Sequence, residues 1–219
     1  MAERFIVIRV GLLVVGMMVS AVGVLDSWNG DLGTDGRVET VEITSRNVRD
    51  GHPLGGEVIV RRGAGVLWRQ GGTNPWRLFV ADVDGDGAKD VIVGVWKKSP
   101  KDLVMAKRTF VYSWNGHRLL PLWLGSRLSR RFDDFAVVDV DRDGFAELFS
   151  LEIMGSGRHR IAEYRWKSFG YDWLGCTDEM TGVRALRAGK TGIDMIMVDG
   201  KRKALDLASI HLTGEAREQ

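Results

Sequence analysis

Short apolar runs separated by polar turns dominate the chain after Leu25. Two of these runs, Leu78–Ala81 and Val91–Val95, flank an acidic segment that reads Asp-Val-Asp-Gly-Asp-Gly-Ala-Lys-Asp from Asp82 to Asp90. Their apolar and β-branched residues favour strands on both sides of the segment. No strong helical periodicity follows Leu25, so the pattern predicts an all-β chain.

The same arrangement returns between Phe135–Val138 and Leu148–Leu151, where the segment reads Asp-Val-Asp-Arg-Asp-Gly-Phe-Ala-Glu. We name Asp82–Asp90 the first acidic loop and Asp139–Glu147 the second acidic loop. Carboxylates at positions 1, 3, 5 and 9 of a tight loop repel one another unless a cation lies among them. Ca²⁺ accepts six to eight oxygen ligands with tolerant geometry, so both loops are predicted calcium sites.

Two alternatives apply to these loops. An EF-hand needs helices on both sides and a bidentate glutamate at position 12. That position is Val93 or Ser150 here, and both flanks resemble strands, so the EF-hand is excluded. An acidic turn that holds no ion remains the other interpretation.

Self-similarity recurs at about fifty to fifty-seven residues, the range typical of propeller blades. Trp68, Trp123 and Trp173 occupy matched positions, and each is followed by a polar loop and an apolar strand. At one per repeat these side chains are expected to fill the space between sheets, with carbohydrate stacking as the alternative. Each repeat therefore reads as four strands.

The outer repeats depart from the inner two. In the last one, Ala188–Asp194 replaces the acidic loop and keeps only Asp194. A divergent first repeat carries strands over Val38–Ile43 and Glu57–Arg62, and its Asp31–Asp35 turn does not repeat the ligand spacing. We expect about four repeats, two of them with metal, and atypical terminal ones.

The N-terminus has the pattern of an export signal. Arg4 and Arg9 precede Val10–Leu25, which carries no charge before Asp26, and a basic start followed by an apolar run is typical of signal peptides. We predict residues 1–25 to be a signal peptide, cleaved after Gly23, or an uncleaved signal anchor. A buried core helix is the alternative. Export would place the remainder outside the cytoplasm, either secreted or anchored to the membrane by this segment alone.

Charge and cysteine content narrow the function classes. The 31 basic and 29 acidic residues are interspersed and give a net charge of +2, without the basic tract that a nucleic-acid partner would require. Cys176 is the single cysteine, which excludes an intrachain disulfide and a cysteine-based zinc cluster. Nucleic acid is therefore not an expected partner.

The strand, the Asp-x-Asp-x-Asp-Gly-x-x-Asp loop and the following strand resemble the FG-GAP/VCBS repeats of integrin-α-like β-propellers. In that family the loop joins the first two strands of a blade and wraps one Ca²⁺. The resemblance implies these ligands: Asp82, Asp84, Asp86, the Ala88 carbonyl and Asp90 in the first loop, and Asp139, Asp141, Asp143, the Phe145 carbonyl and Glu147 in the second.

The resemblance implies a repeat domain over residues 26–219. Integrin-like propellers have seven blades, whereas these residues supply about four, and the Phe-Gly and Gly-Ala-Pro signature is not visible in the sequence. The expected fold is a small four-bladed β-propeller, or a partial array that another chain completes.

The expected function is a non-enzymatic, calcium-stabilised module that binds a protein or glycan at the cell envelope. An unclosed sheet edge at the ends of the array would favour self-association. The alternative is a secreted enzyme, or enzyme subunit, that acts on polysaccharide with acids such as Asp133 and Asp134. An enzyme of that kind requires two converging acids outside the metal loops.

Overall fold

A computed structural model describes residues 22–100, 102–125, 128–189 and 192–212. Within these residues the secondary structure is almost entirely β. The strands are β1 Gly23–Gly30, β2 Glu39–Ser45, β3 Asn47–Arg49, β4 His52–Leu54, β5 Glu57–Arg62, β6 Gly65–Gly71, β7 Pro75–Ala81, β8 Asp90–Ser99, β9 Asp102–Trp114, β10 Leu119–Trp123, β11 Phe132–Val138, β12 Glu147–Ile153, β13 His159–Lys167, β14 Gly170–Cys176, β15 Val183–Ala188, β16 Ile193–Met197, β17 Arg202–Ala204 and β18 His211–Leu212. Two single-turn 3₁₀ helices cover Gly155–Gly157 and Leu207–Ser209.

Four main sheets follow one another along the chain. The first has the order β1-β2-β5-β6, the second β10-β9-β8-β7, the third β11-β12-β13-β14-β18 and the fourth β15-β16-β17. A small hairpin of β3 and β4 lies between β2 and β5 in sequence. The predicted fold class is confirmed: the chain is all-β, and its four sheets are four β-propeller blades.

The blade boundaries agree with the repeats read from the sequence, with three differences. The fourth blade has three strands within the described residues, and the third blade has β18 as a fifth strand. The first blade begins with β1, so Gly23–Leu25 of the predicted export signal lies in a strand. Residues 1–21, the rest of that signal, lie outside the described residues. No helix in the described part of the chain is long and apolar enough to cross a membrane.

The chain forms two compact units. One comprises the chain up to Val80 together with Val91–Pro121, and the other comprises Ala81–Asp90 and the chain from Leu122 onwards. Both acidic loops therefore belong to the second unit. This division places in one unit two loops whose matching positions, Asp82 and Asp139, are 57 residues apart in sequence.

The core of each unit comes from alternating apolar residues on neighbouring strands. In the first unit Val41 and Ile43 of β2 and Val58 and Val60 of β5 are buried together. In the second unit β12 is buried along nearly its whole length. A strand buried on both faces provides a fixed base for the loop that precedes it.

The tryptophan side chains differ in how far they are buried. Trp114 is buried, and Trp68 packs against the core of the first unit. Trp173 is 38% exposed. Core packing is therefore confirmed for Trp68, whereas Trp123 is half-buried and Trp173 retains an accessible ring.

Candidate metal centre

The first acidic loop is ordered by its own carboxylates. Asp82 accepts hydrogen bonds from the backbone N–H groups of Gly85 at 2.7 Å and Gly87 at 2.9 Å. Asp90, the first residue of β8, accepts one from the N–H of Val83 at 3.1 Å. Side chains that accept backbone N–H groups in this way replace the ladder bonds that a turn lacks. The two end carboxylates thus close the loop.

The middle carboxylates bond N–H groups two residues further along the chain. Asp84 accepts from the N–H of Asp86 at 3.2 Å, and Asp86 accepts from the N–H of Ala88 at 2.7 Å. Oxygens of Asp82, Asp84 and Asp86 lie within 4.8 Å of one another. Three of the four predicted side-chain ligands of the first loop are therefore gathered around one point.

The second acidic loop repeats these bonds position by position. Asp139 accepts from the N–H groups of Arg142 at 2.6 Å and Gly144 at 3.0 Å, and Glu147 accepts from Val140 at 3.1 Å. The bonds made by positions 3 and 5 recur as well. The two loops share one backbone frame.

Positions 4 and 6 of the frame have left-handed backbone conformations. In the first loop these are Gly85 at φ +77° and Gly87 at φ +85°, and in the second they are Arg142 at φ +65° and Gly144 at φ +97°. A side chain disfavours this conformation, so glycine is the expected residue at both positions. Arg142 is the exception.

The second loop gathers a different set of acids. Oxygens of Asp139, Asp141 and Glu147 lie within 4.8 Å of one another. Asp143 instead bonds the guanidinium of Arg165. That guanidinium also lies 3.6 Å from Asp141 and 3.8 Å from Glu147. An arginine from β13 therefore contributes positive charge to this loop.

Burial and neighbouring acids both act on the acids at position 9 of the two loops. Burial raises the pKa of Asp90 to about 7, against the Val83 hydrogen bond, and the loop's other aspartates raise it further. Burial likewise raises the pKa of Glu147 to about 7, against its bond from Val140, and Asp141 adds to the increase. A cation would favour the ionised form of both acids.

Buried polar atoms also favour an ion. Oε1 of Glu147 and the hydroxyl oxygen of Tyr171 are buried and have no hydrogen-bond partner among the described residues. Burial raises the pKa of Tyr171, and the nearby charges of Asp90 and Glu147 raise it further. Unsatisfied buried oxygens are uncommon in folded proteins. The Tyr171 hydroxyl, which lies near Asp90, and the clustered acids of the first loop form a donor set of the kind that binds a hard metal ion. Oε1 of Glu147 instead has the guanidinium of Arg165 3.8 Å away.

The two loops contact each other. The N–H of Ala146 donates to the carbonyl oxygen of Asp82 at 2.8 Å. The Phe145 ring lies against Gly85, where an added Cβ would come within 1.4 Å of a ring carbon. The guanidinium of Arg165 lies 5.6 Å from the centre of the same ring. The backbone of one loop therefore supports the other.

A third copy of the frame lies in the first blade, over Asp31–Glu39. Asp31 accepts from the N–H groups of Asp35 at 3.2 Å and Gly36 at 2.8 Å, and Glu39 accepts from Leu32 at 3.1 Å. Asp31 accepts from position 5 rather than position 4, so the segment shares the frame in part, and it does not repeat the ligand spacing of the acidic loops, as expected. The available signal was an aspartate at positions 1 and 5, a glycine at position 6 and an acid at position 9, with Gly33 at position 3.

Asp133 and Asp134 have separate partners. Asp133 lies 2.8 Å from Nε2 of His159. The buried Asp134 accepts the N–H of Leu186 at 2.9 Å and lies 3.6 Å from Arg187. The two acids therefore contact different residues, at a point where the pairing of β11 with β12 shifts in register.

A basic cleft of about 710 Å³ lies in the second unit. Its lining includes Arg130, Arg131 and Arg160. The fully buried Glu152 accepts from Nε of Arg160 at 2.8 Å and from the Tyr164 hydroxyl at 2.5 Å. Arg160 is therefore paired within the protein, and the cleft is lined by guanidinium groups of the kind that recognise oxyanions.

No protein-family model matches the sequence, and no curated protein matches it. Among solved structures, a Bacillus licheniformis rhamnogalacturonan lyase PL11 matches with a TM-score of 0.54 and 15% identity, covering 81% of this chain and 40% of the lyase. A Xanthomonas type IV secretion system related protein matches with a TM-score of 0.35 and 15% identity, and the match covers 82% of this chain and 98% of the Xanthomonas protein. The chain thus spans 40% of the lyase, and their similarity concerns the fold alone.

Proposed function

We propose that this protein is an exported, non-enzymatic propeller module of the FG-GAP/VCBS kind, in which bound Ca²⁺ stabilises the loops between strands. The observation that carries the proposal is the repeated loop frame, which gathers three carboxylates in each acidic loop. Oxygen-only ligands and an adaptable loop are what Ca²⁺ prefers.

In this proposal the ligands of the first loop are Asp82, Asp84, Asp86 and Asp90 with the carbonyl of Ala88. A bound ion would supply the positive charge that offsets repulsion among these acids. Its role is structural, because it would join the strands on either side of the loop. The remaining surface would then bind a protein or glycan at the cell envelope, and the basic cleft supports an anionic ligand.

The test is a thermal melt of the full chain in chelator, in Ca²⁺ and in Mg²⁺ at equal ionic strength. Ca²⁺ at a hundred times its Kd should add about 2.7 kcal/mol to the free energy of unfolding. For a chain of this size that corresponds to a rise in Tm of roughly 5 to 10 °C. Mg²⁺ should give a smaller rise, because it requires a stricter octahedral geometry.

The matched control is Asp82→Ala, which removes a carboxylate at position 1 of the loop. The rise of its Tm in Ca²⁺ should be smaller than that of the unsubstituted chain, because the first loop has lost a ligand. If the unsubstituted chain melts at one temperature in chelator and in Ca²⁺, the calcium proposal is wrong.

A further inference from the structure

The acid at position 9 is the common element of the blade loops. It is Glu39 in the first blade, Asp90 in the second and Glu147 in the third, and Asp194 is its remnant in the fourth. Glu39, Asp90 and Glu147 are each the first residue of the second strand of their blade. The third strand runs antiparallel beside that strand, so one of its side chains can reach the acid.

In the first blade that side chain is an arginine. Glu39 is fully buried, and its Oε1 accepts from Arg62 at 2.9 Å through Nε and at 2.5 Å through Nη2. Thr40 pairs with Arg61 across β2 and β5, so Arg62 stands at the position opposite Glu39. The acid at position 9 is therefore paired with a charge from its own blade.

The third blade repeats this arrangement. Leu148 pairs with Tyr164 across β12 and β13, so Arg165 stands opposite Glu147 as Arg62 does opposite Glu39. Its guanidinium bonds Asp143 and approaches two more acids of the loop, as described above. A guanidinium keeps its charge at every physiological pH.

The fourth blade has the same chemistry at its shortened loop. Asp194 bonds the guanidinium of Arg202, which is the first residue of β17. The position along the strand differs, since Arg202 pairs with Ile196 in the ladder. The remaining acid nevertheless has an arginine from the third strand.

The second blade is the exception. Val91 pairs with Tyr112 across β8 and β9, and the next residue of β9, which corresponds to Arg165 of β13, is Ser113. Among the described residues, no lysine or arginine forms an ion pair with the four aspartates of the first acidic loop. This loop therefore carries as many acids as the second acidic loop, and its own basic residue, the exposed Lys89, forms no ion pair with them.

We infer that arginines from the third strand take the place of the metal ion in three blades, so that the chain binds one divalent cation, in the first acidic loop. A cation entering the second acidic loop would face the charge of Arg165 and would have to displace it from Asp143. The first loop presents no such competitor. The inference rests on the proposed function, and it assigns the metal to one of the two predicted loops.

The test is calorimetric titration of the chelator-treated full chain with Ca²⁺. The unsubstituted protein should bind one ion, Asp82→Ala should bind none, and Asp139→Ala should still bind one. Arg165→Ser, which copies the residue of β9 into β13, should raise the stoichiometry from one to two. The reciprocal Ser113→Arg should reduce it to none and leave the Tm independent of Ca²⁺.

Two controls keep the outcome interpretable if Arg165→Ser loses stability. The Arg165→Lys variant retains a positive charge at this position and should bind one ion. The Arg158→Ser variant lacks an arginine that pairs with Glu179, outside the acidic loops, and should also bind one ion. Two ions in the unsubstituted chain, one lost with Asp82→Ala and one with Asp139→Ala, would overturn this inference and leave the proposed function intact. No binding by the unsubstituted chain would overturn both.

Discussion

The first and second acidic loops have the same backbone frame but different surroundings. In both, the acids at positions 1 and 9 accept the same backbone N–H groups. Position 4 is Gly85 in the first loop and Arg142 in the second. The residue opposite the position-9 acid on the third strand is Ser113 for the first loop and Arg165 for the second. Local hydrogen bonds therefore set the shape of such a loop, and side chains from elsewhere set its charge.

The contact between the loops is also asymmetric. Position 7 is Ala88 in the first loop and Phe145 in the second, and the Phe145 ring covers position 4 of the first loop. The first loop is therefore constrained by a neighbour as well as by its own bonds. This asymmetry can be tested by substitutions at Gly85, Phe145 and Arg142.

The largest effect is expected from Gly85→Ala. An added Cβ would lie 1.4 Å from a carbon of Phe145, at a residue with φ +77°. Backbone strain and the steric clash together should cost about 3 kcal/mol of unfolding free energy. Urea denaturation in chelator measures this without any contribution from a metal.

Gly87→Ala is the matched control for that substitution. Gly87 has φ +85° but has no other atom near its Cβ position, so only backbone strain of about 1 kcal/mol applies. In a Phe145→Ala background, Gly85→Ala should cost no more than Gly87→Ala. Equal losses for the two glycine variants in the unsubstituted chain would contradict the role assigned to Phe145.

Phe145→Ala should have an intermediate effect. The ring is 36% exposed but contacts Gly85 and lies below the guanidinium of Arg165. Loss of buried apolar surface and of the cation–π contact should cost about 1.5 kcal/mol by denaturation. Phe169→Ala, at an 85% exposed ring in the same unit, should change the free energy by less than about 0.5 kcal/mol. Similar losses for both would rule out a supporting contact.

The smallest expected effect is an increase in the free energy of unfolding. Arg142 holds φ +65° at the position where the first loop has Gly85, so Arg142→Gly should relieve strain and raise the free energy of unfolding by about 0.5 kcal/mol. Arg142→Ala keeps the strained backbone and removes the charge, and it should not be stabilising. A gain for the alanine variant alone would assign the effect to charge rather than to the backbone.

Much of the fold could be read from local patterns. The strands around both acidic loops, the Asn115-Gly116 turn before β10 and the four-repeat organisation follow from residue alternation and turn residues, which act over a few positions. The hydrogen bonds of the first-blade loop were not foreseen, because Gly33 replaces the acid at position 3 and the ligand spacing is absent, although those hydrogen bonds tolerate the change.

The sequence by itself determined the acids of each loop and their spacing, because short-range hydrogen bonds to backbone N–H groups depend on nothing distant. Only the tertiary structure decided where Arg62, Arg165 and Phe145 lie relative to those acids. Their positions depend on strand register and on contact between loops more than fifty residues apart in sequence. Strand pairing and packing fix those distances, and no local pattern records them.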